Sequence, residues 1–175
     1  HIDKESARRS LGLNGHRILL FVGRIDPLKG IDMLLKALPE LDTMQNLKLL
    51  VIGGDEDSLP EVERLQRLSQ RLHVQDAVTF AGIVEQKELP LHYSAADICV
   101  IPSYYESFGL VALESLACGT PILATKVGCI ESVVNPGQNG YMVEYNAPLR
   151  LADGIAELIA KQEAMMKSAD SIRAS

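Results

Sequence analysis

The sequence predicts an α/β domain: a doubly wound parallel sheet of about six strands with helices on both faces. Three observations predict it. Short aliphatic runs, most of them closed by glycine, alternate along the chain with stretches of helical periodicity. The apolar content is 47%, yet only 5% of residues are aromatic and none is Trp, a composition that suits strands covered on both faces. The 175 residues match one ordinary domain with a full core.

Each element follows from its own pattern. Residues 5–11 read as a short helix. HRILLFVG (16–23) is an apolar run ending in Gly, a buried strand. GIDMLLKALPEL places Ile31, Leu34, Leu35 and Leu38 on one helical face. LKLLVIGG (47–54) is a second strand. SLPEVERLQRLSQRLHV is a helix, with Ser58 as its expected cap, Pro60 in its first turn, and Val62, Leu65, Leu68 and Leu72 along one side. AVTFAG (77–82) is a third strand, EQKELPLHYSAA a short helix, and DICVIPS (97–103) a fourth strand. GLVALESLACG (109–119) is a helix closed by Gly119. TPILATKVG (120–128) is a fifth strand, CIESVVN a short helix and GYMVE (140–144) a sixth strand. A last helix covers about 149–167. In such sheets ligands bind outside the carboxyl ends of the strands. The stretches to search are therefore 23–30, 53–55, 82–86, 103–110 and 125–130.

Charge and cysteine usage exclude several functions. A net charge of −6 argues against nucleic acid held by a broad basic face, while leaving room for one small anion held by local cations. Cys99, Cys118 and Cys129 lack CxxC spacing, and all three read as buried free thiols in a reducing, cytoplasmic setting. There is no apolar run of the ~20 residues a membrane span needs, and no signal peptide. None of His1, His16, His73 and His92 sits at metal-ligand spacing, and Ser103, Ser107 and Ser115 have no evident His partner. The opening HIDKESARRSLGL lacks Met and reads like the interior of a longer chain; an excised fragment is the expectation.

Two stretches carry chemistry. In GRIDPLKG (23–30), Arg24 and Lys29 lie at a strand's carboxyl end just before a helix. A guanidinium fork and an ammonium point charge there suit a diphosphate. A solvated loop in which Arg24 pairs with Asp26 suits the residues equally. It is not a Walker A loop, because Gly30 follows Lys29. In SYYESFGLVALESLACGTP (103–121), Ser107 is the expected cap of a helix starting near Gly109. Free N–H groups at residues 108–110 would welcome an anion, and Gly109 removes a side chain that would block it. Glu106 precedes this helix and Glu114 lies on it, up to about 12 Å away at the helical rise. Taken singly, each acid is explained by a surface position, Glu106 favouring the helix dipole. Taken together, they could accept hydroxyl pairs from a sugar and a ribose with a diphosphate between. Gly53 and Gly54 allow close approach of backbone to a ligand, although a tight turn explains them too. There is no GxGxxG, so a nicotinamide site has no support.

With those residues stated, GRIDPLKG and PSYYESFGLVALESLACGTPILATKVGCIESV together resemble the C-terminal half of retaining GT-B glycosyltransferases, glycosyltransferase family 4 or group 1. The likeness runs from about 16 to 160 and rests on the E-x7-E spacing of Glu106 and Glu114. The wording is most similar to sucrose-phosphate-synthase-like and mycothiol-pathway-like members. The resemblance implies a Rossmann-like donor-binding domain over 1–175, one half of a GT-B fold. It implies Arg24 and Lys29 on the donor diphosphate, Glu106 on the sugar hydroxyls, and the backbone of Ser107, Phe108, Gly109 and Leu110 on sugar and phosphate. Glu114 would take the ribose, Val84 in GIVEQ would lie against the base, and Gly53 and Gly54 would line the cleft.

As implied catalytic groups, Arg24 and Lys29 would stabilise the leaving diphosphate without a metal or other cofactor, while Glu106 holds the sugar. The implied partner is a nucleotide sugar, with UDP favoured over GDP or ADP. A further partner is an N-terminal acceptor domain, which this chain does not contain; the final helix that usually returns to it also looks incomplete. Action of a parent protein at a membrane surface stays open. A glycosidase is disfavoured, because paired hydrolytic carboxylates stand ~5–9.5 Å apart and both face the scissile bond. The rival of another class is a non-catalytic nucleotide-sugar-binding module serving a partner chain.

Overall fold

The computed structural model describes residues 2–173. Six parallel strands form one sheet: β1 (Arg17–Val22), β2 (Leu47–Ile52), β3 (Val78–Gly82), β4 (Ile98–Ile101), β5 (Ile122–Thr125) and β6 (Gly140–Val143). Their order is β3-β2-β1-β4-β5-β6. The chain winds outward one way from β1 and then restarts beside it, so β1 and β4 flank the reversal point. Helices diverge there, and a crevice opens above the strands' carboxyl ends.

The strands are uniform apolar runs because both faces are covered. On one face α2 (Ile31–Ala37), α3 (Leu59–Arg71) and α7 (Pro148–Arg173) pack against Leu19, Phe21, Leu49, Val51 and Val100. On the other, α4 (Leu89–Ala95), α5 (Leu110–Ala117) and α6 (Ile130–Val133) pack against Ile18, Leu20, Cys99, Ile101 and Ile122. Alternation of side chains along each strand sorts these residues between two cores. Helix α1 (Lys4–Leu11) is tied to the sheet through Asp97, which accepts from Arg8 Nη2 at 2.5 Å, Lys4 Nζ at 3.2 Å and the Ile18 amide at 2.8 Å. Among the described residues no helix is long and apolar enough to cross a membrane.

The structure corrects several local expectations. Ser58 does not cap α3 with its side chain. Asp55 forms a capping box with Ser58 over a 3₁₀ turn, Glu56–Ser58, that runs into the helix. Leu65 and Leu68 of α3 are buried as expected, while Val62 and Leu72 are only partly so. Pro39 ends α2 early, and Leu38 buries itself from a 3₁₀ turn, Leu38–Leu41. Cys99 is buried, but Cys118 and Cys129 are only partly so. Burial pushes the Cys99 thiol up to about 12.

Candidate functional site

The loop after β1 is shaped by its own residues. The Asp26 carboxylate accepts from the Leu28 amide at 2.9 Å, and Pro27 starts a 3₁₀ turn, Pro27–Lys29. Gly30 closes that turn at φ +67° and leads into α2. A Cβ on Gly30 would fall 2.0 Å from the Pro102 carbonyl oxygen, so only glycine lets the two loops approach this closely. The Tyr104 amide donates to the Leu28 carbonyl at 2.8 Å, and Asn146 Nδ2 donates to the Pro102 carbonyl. The loops after β1 and β4 are thus joined across the reversal point of the sheet.

That junction brings Lys29 to Glu106. Their Nζ–Oε2 distance is 2.8 Å, and the two side chains are only 16% and 18% exposed. The buried Ser103 hydroxyl donates to the same Oε2 at 3.2 Å. The Glu106 backbone is held from the other side: a Cβ on Gly128, at φ +55°, would meet its carbonyl oxygen at 2.1 Å. The 103–109 loop is therefore clamped between the loops after β1 and β5.

Ser107 was expected to cap α5 and does not. The cap is Gly109 at φ +61°, and no side chain bonds the helix start. Ser107 and Phe108 are exposed, Phe108 at 78%. The first turn of a helix leaves its own amides without intrahelical acceptors, among them those of the exposed Leu110 and the half-buried Val111, while Ala112 is fully buried. The helix thus begins at Leu110, one residue after the left-handed Gly109 that makes the turn in place of Ser107.

Glu114 lies one turn into α5. Its Oε2 accepts from the Tyr93 hydroxyl at 2.8 Å and its Oε1 from Gln86 Nε2 at 3.2 Å. Tyr93 is 1% exposed, and burial above all holds its phenol well above the usual range, so it remains a donor. Gln86 belongs to the loop after β3, and Val84 of the same loop is half-buried against the second core.

Arg24 stands apart from the ion pair. It is 83% exposed and lies 3.5 Å from Asp26 Oδ2, the pairing left open by the sequence. It lines a crevice of about 880 Å³ with Gly23, Gly53, Gly54, Asp55 and Ile83. Gly53, at φ +129°, donates its amide to the Gly82 carbonyl at 2.8 Å, and a Cβ there would meet the Gly23 carbonyl oxygen at 1.8 Å. The structure thus brings Lys29 into contact with Glu106 and gathers Arg24, Gly53 and Gly54 in the adjoining crevice. Glu114 sits with Gln86. Lys29, Glu106 and Glu114 do not line that crevice.

Sequence reasoning missed Tyr93, Gln86, Ser103, Asn146 and Gly128. Ser103 bonds Glu106 from three residues away, and the others reach the site through tertiary contacts. For Tyr93 a signal existed: a phenol in a short packing helix, LPLHYSA, whose hydroxyl must find a partner when buried.

The family model described as "Glycosyl transferases group 1" matches residues 3–174. A D-inositol 3-phosphate glycosyltransferase 2 of Catenulispora acidiphila is 45% identical over 164 residues, covering 90% of this chain and 38% of that protein. The structure of sucrose-phosphate synthase from Thermosynechococcus elongatus superposes with a TM-score of 0.83 at 38% identity, covering 90% of this chain and 40% of that one. Anabaena Alr3699/HepE, solved in complex with UDP-glucose, gives a TM-score of 0.83 at 26% identity, covering 92% of this chain and 44% of that one. The chain therefore spans about two fifths of the length of these relatives.

Proposed function

The chain belongs to the group 1 glycosyl transferases, and from that premise we propose that it is the donor-binding, C-terminal half of a retaining GT-B enzyme. Joined to an acceptor domain, it transfers a sugar from a nucleoside-diphosphate sugar to an acceptor hydroxyl. The observation that carries this reading is the 2.8 Å meeting of Lys29 and Glu106 beside the uncapped start of α5. A cation, a carboxylate and open amides at the reversal point of a doubly wound sheet suit a ligand that is anionic at one part and rich in hydroxyls at another.

In the reaction the bond from the anomeric carbon to the diphosphate oxygen breaks, and its electron pair leaves with the diphosphate. Lys29 and the amides of Leu110 and Val111 stabilise the charge that develops, with Arg24 reaching in from the loop's outer rim. No divalent metal is required for this step. Glu106 directs its free oxygen, Oε1, to the sugar hydroxyls, since Lys29 and Ser103 both bond Oε2. Glu114 takes the ribose hydroxyls, and the backbone near Val84 takes the base. The acceptor hydroxyl, supplied at the other domain, bonds to the anomeric carbon with retention and passes its proton to the departing diphosphate oxygen. UDP is the favoured nucleotide, a choice supported by the UDP-glucose complex of the Anabaena relative. The setting proposed is the cytoplasm.

Calorimetry with UDP and GDP tests the reading. Wild type is expected to bind UDP at millimolar concentration or below, and Lys29→Ala to lose tenfold or more, about 1.4 kcal/mol. Absence of binding by either nucleotide to wild type would overturn the donor site.

A further inference from the structure

Glu114 is held by more than its own helix. Its Oε2 takes the Tyr93 hydroxyl at 2.8 Å. The backbone carbonyl of Tyr93 accepts from Thr120 Oγ1 at 2.6 Å, and the Thr120 carbonyl accepts from Ser115 Oγ at 2.9 Å. Ser115 follows Glu114 in α5, so the chain of bonds returns to its starting point. Tyr93, Thr120 and Ser115 are all buried, at 1%, 2% and 0% exposure. The ring of bonds joins α4, α5 and the start of β5 beneath the carboxylate. Among the described residues nothing of this kind holds the other oxygen: Oε1 meets only the Gln86 amide, in an exposed contact of 3.2 Å.

The two oxygens therefore differ in their freedom. A carboxylate on an exposed helix position rotates about its side-chain torsions, and ordering it costs conformational entropy on binding. Fixing one oxygen from a buried phenol removes that cost in advance and leaves the other turned to the loop after β3, where Gln86 meets it. The long, exposed Gln86 contact is one that a ligand hydroxyl can replace.

We infer that Tyr93 is a positioning residue for Glu114, orienting the carboxylate so that the site discriminates nucleotides by their ribose hydroxyls. The inference rests on the reading that Glu114 takes the ribose. Tyr93 touches no ligand; it acts through Glu114 alone. Ser115 and Thr120 fix the Tyr93 backbone in turn, and the phenol supplies its proton without ionising, because burial keeps it neutral.

The test compares UDP with 2′,3′-dideoxyuridine diphosphate on the 175-residue chain, by calorimetry, for wild type, Tyr93→Phe and Glu114→Gln. Wild type is expected to prefer UDP by tenfold or more. Tyr93→Phe should shrink that preference three- to tenfold, with loss of UDP affinity and no change for the dideoxy analogue. A general packing defect would lower both affinities alike, and that result would overturn the inference. So would a preference equal to wild type. Glu114→Gln should abolish the preference; if it does not, the ribose reading of Glu114 fails, which is a separate outcome. Should Tyr93→Phe fail to fold, 3-fluorotyrosine placed at position 93 retains the phenol and reports by ¹⁹F resonance. Its signal is expected to shift when UDP saturates the site and to stay in place with the dideoxy analogue. An unmoved signal under saturating UDP would contradict the inference.

Discussion

Removing either partner of the Lys29–Glu106 pair has opposite consequences for nucleotide binding. The contact is 2.8 Å and both side chains are less than one fifth exposed, so solvent screening is limited. At an effective dielectric of about 20 the bare attraction is roughly 6 kcal/mol, and the desolvation of both groups opposes most of it. A net coupling of about 2 kcal/mol remains, in line with hydrogen bonds to charged groups. A double-mutant cycle of Lys29→Ala, Glu106→Gln and the double variant, followed by urea denaturation, should return that coupling. In a domain of this size it corresponds to about 4–8 °C in Tm.

The binding signs separate the residues further. Before the ligand arrives, Glu106 occupies the ammonium that would hold the diphosphate. Lys29→Ala should weaken UDP binding about ten- to hundredfold. Glu106→Gln releases Lys29 and should strengthen binding of UDP, which has no sugar to lose, about threefold or more while weakening UDP-sugar relative to UDP. Additive stabilities would refute the ion pair. A fall in UDP affinity for Glu106→Gln matching that of Lys29→Ala would refute the competition between Glu106 and the diphosphate for Lys29.

Other outcomes follow from the packing and the buried thiol. Gly30→Ala places a Cβ 2.0 Å from the Pro102 carbonyl oxygen at positive φ, and should cost about 3 kcal/mol or more by chemical denaturation. Gly128→Ala meets the Glu106 carbonyl oxygen at 2.1 Å and should also lower UDP-sugar affinity, read by calorimetry. Burial raises the Cys99 thiol to about 12 from an ordinary value of 9.0. The folded chain then keeps a proton that the unfolded chain gives up above pH 9, so stability declines as pH rises from about 9 to 12, by up to ~1.4 kcal/mol per pH unit. Cys99→Ala should remove that part of the slope and leave the pH profile below 9 unchanged. Native titration with a thiol reagent should modify the partly exposed Cys118 and Cys129 well before Cys99.

The sheet was legible because its strands are buried on both faces and read as unbroken aliphatic runs. Their ends were read too long, as in DICVIPS, where only Ile98–Ile101 pairs with neighbours and Pro102 and Ser103 already belong to the site. The two caps were misread for one reason. Ser58 and Ser107 are good capping residues, but Asp55 and a left-handed Gly109 make the turns, and propensity does not choose between neighbouring candidates. At the site, the spacing of Glu106 and Glu114 was visible along the chain. Their partners were not. Lys29 reaches Glu106 across 77 residues, Tyr93 reaches Glu114 across 21, and Asn146 reaches Pro102 across 44. Strand order sets those contacts, and local pattern carries no trace of it.

A crystal structure of the chain soaked with UDP tests the central claim most directly. The account predicts diphosphate oxygens within ~3.2 Å of Lys29 Nζ and the amides of Leu110 and Val111, with the ribose hydroxyls on Glu114. A nucleotide bound at any other face of the sheet, with the Lys29–Glu106 pair intact, would contradict it.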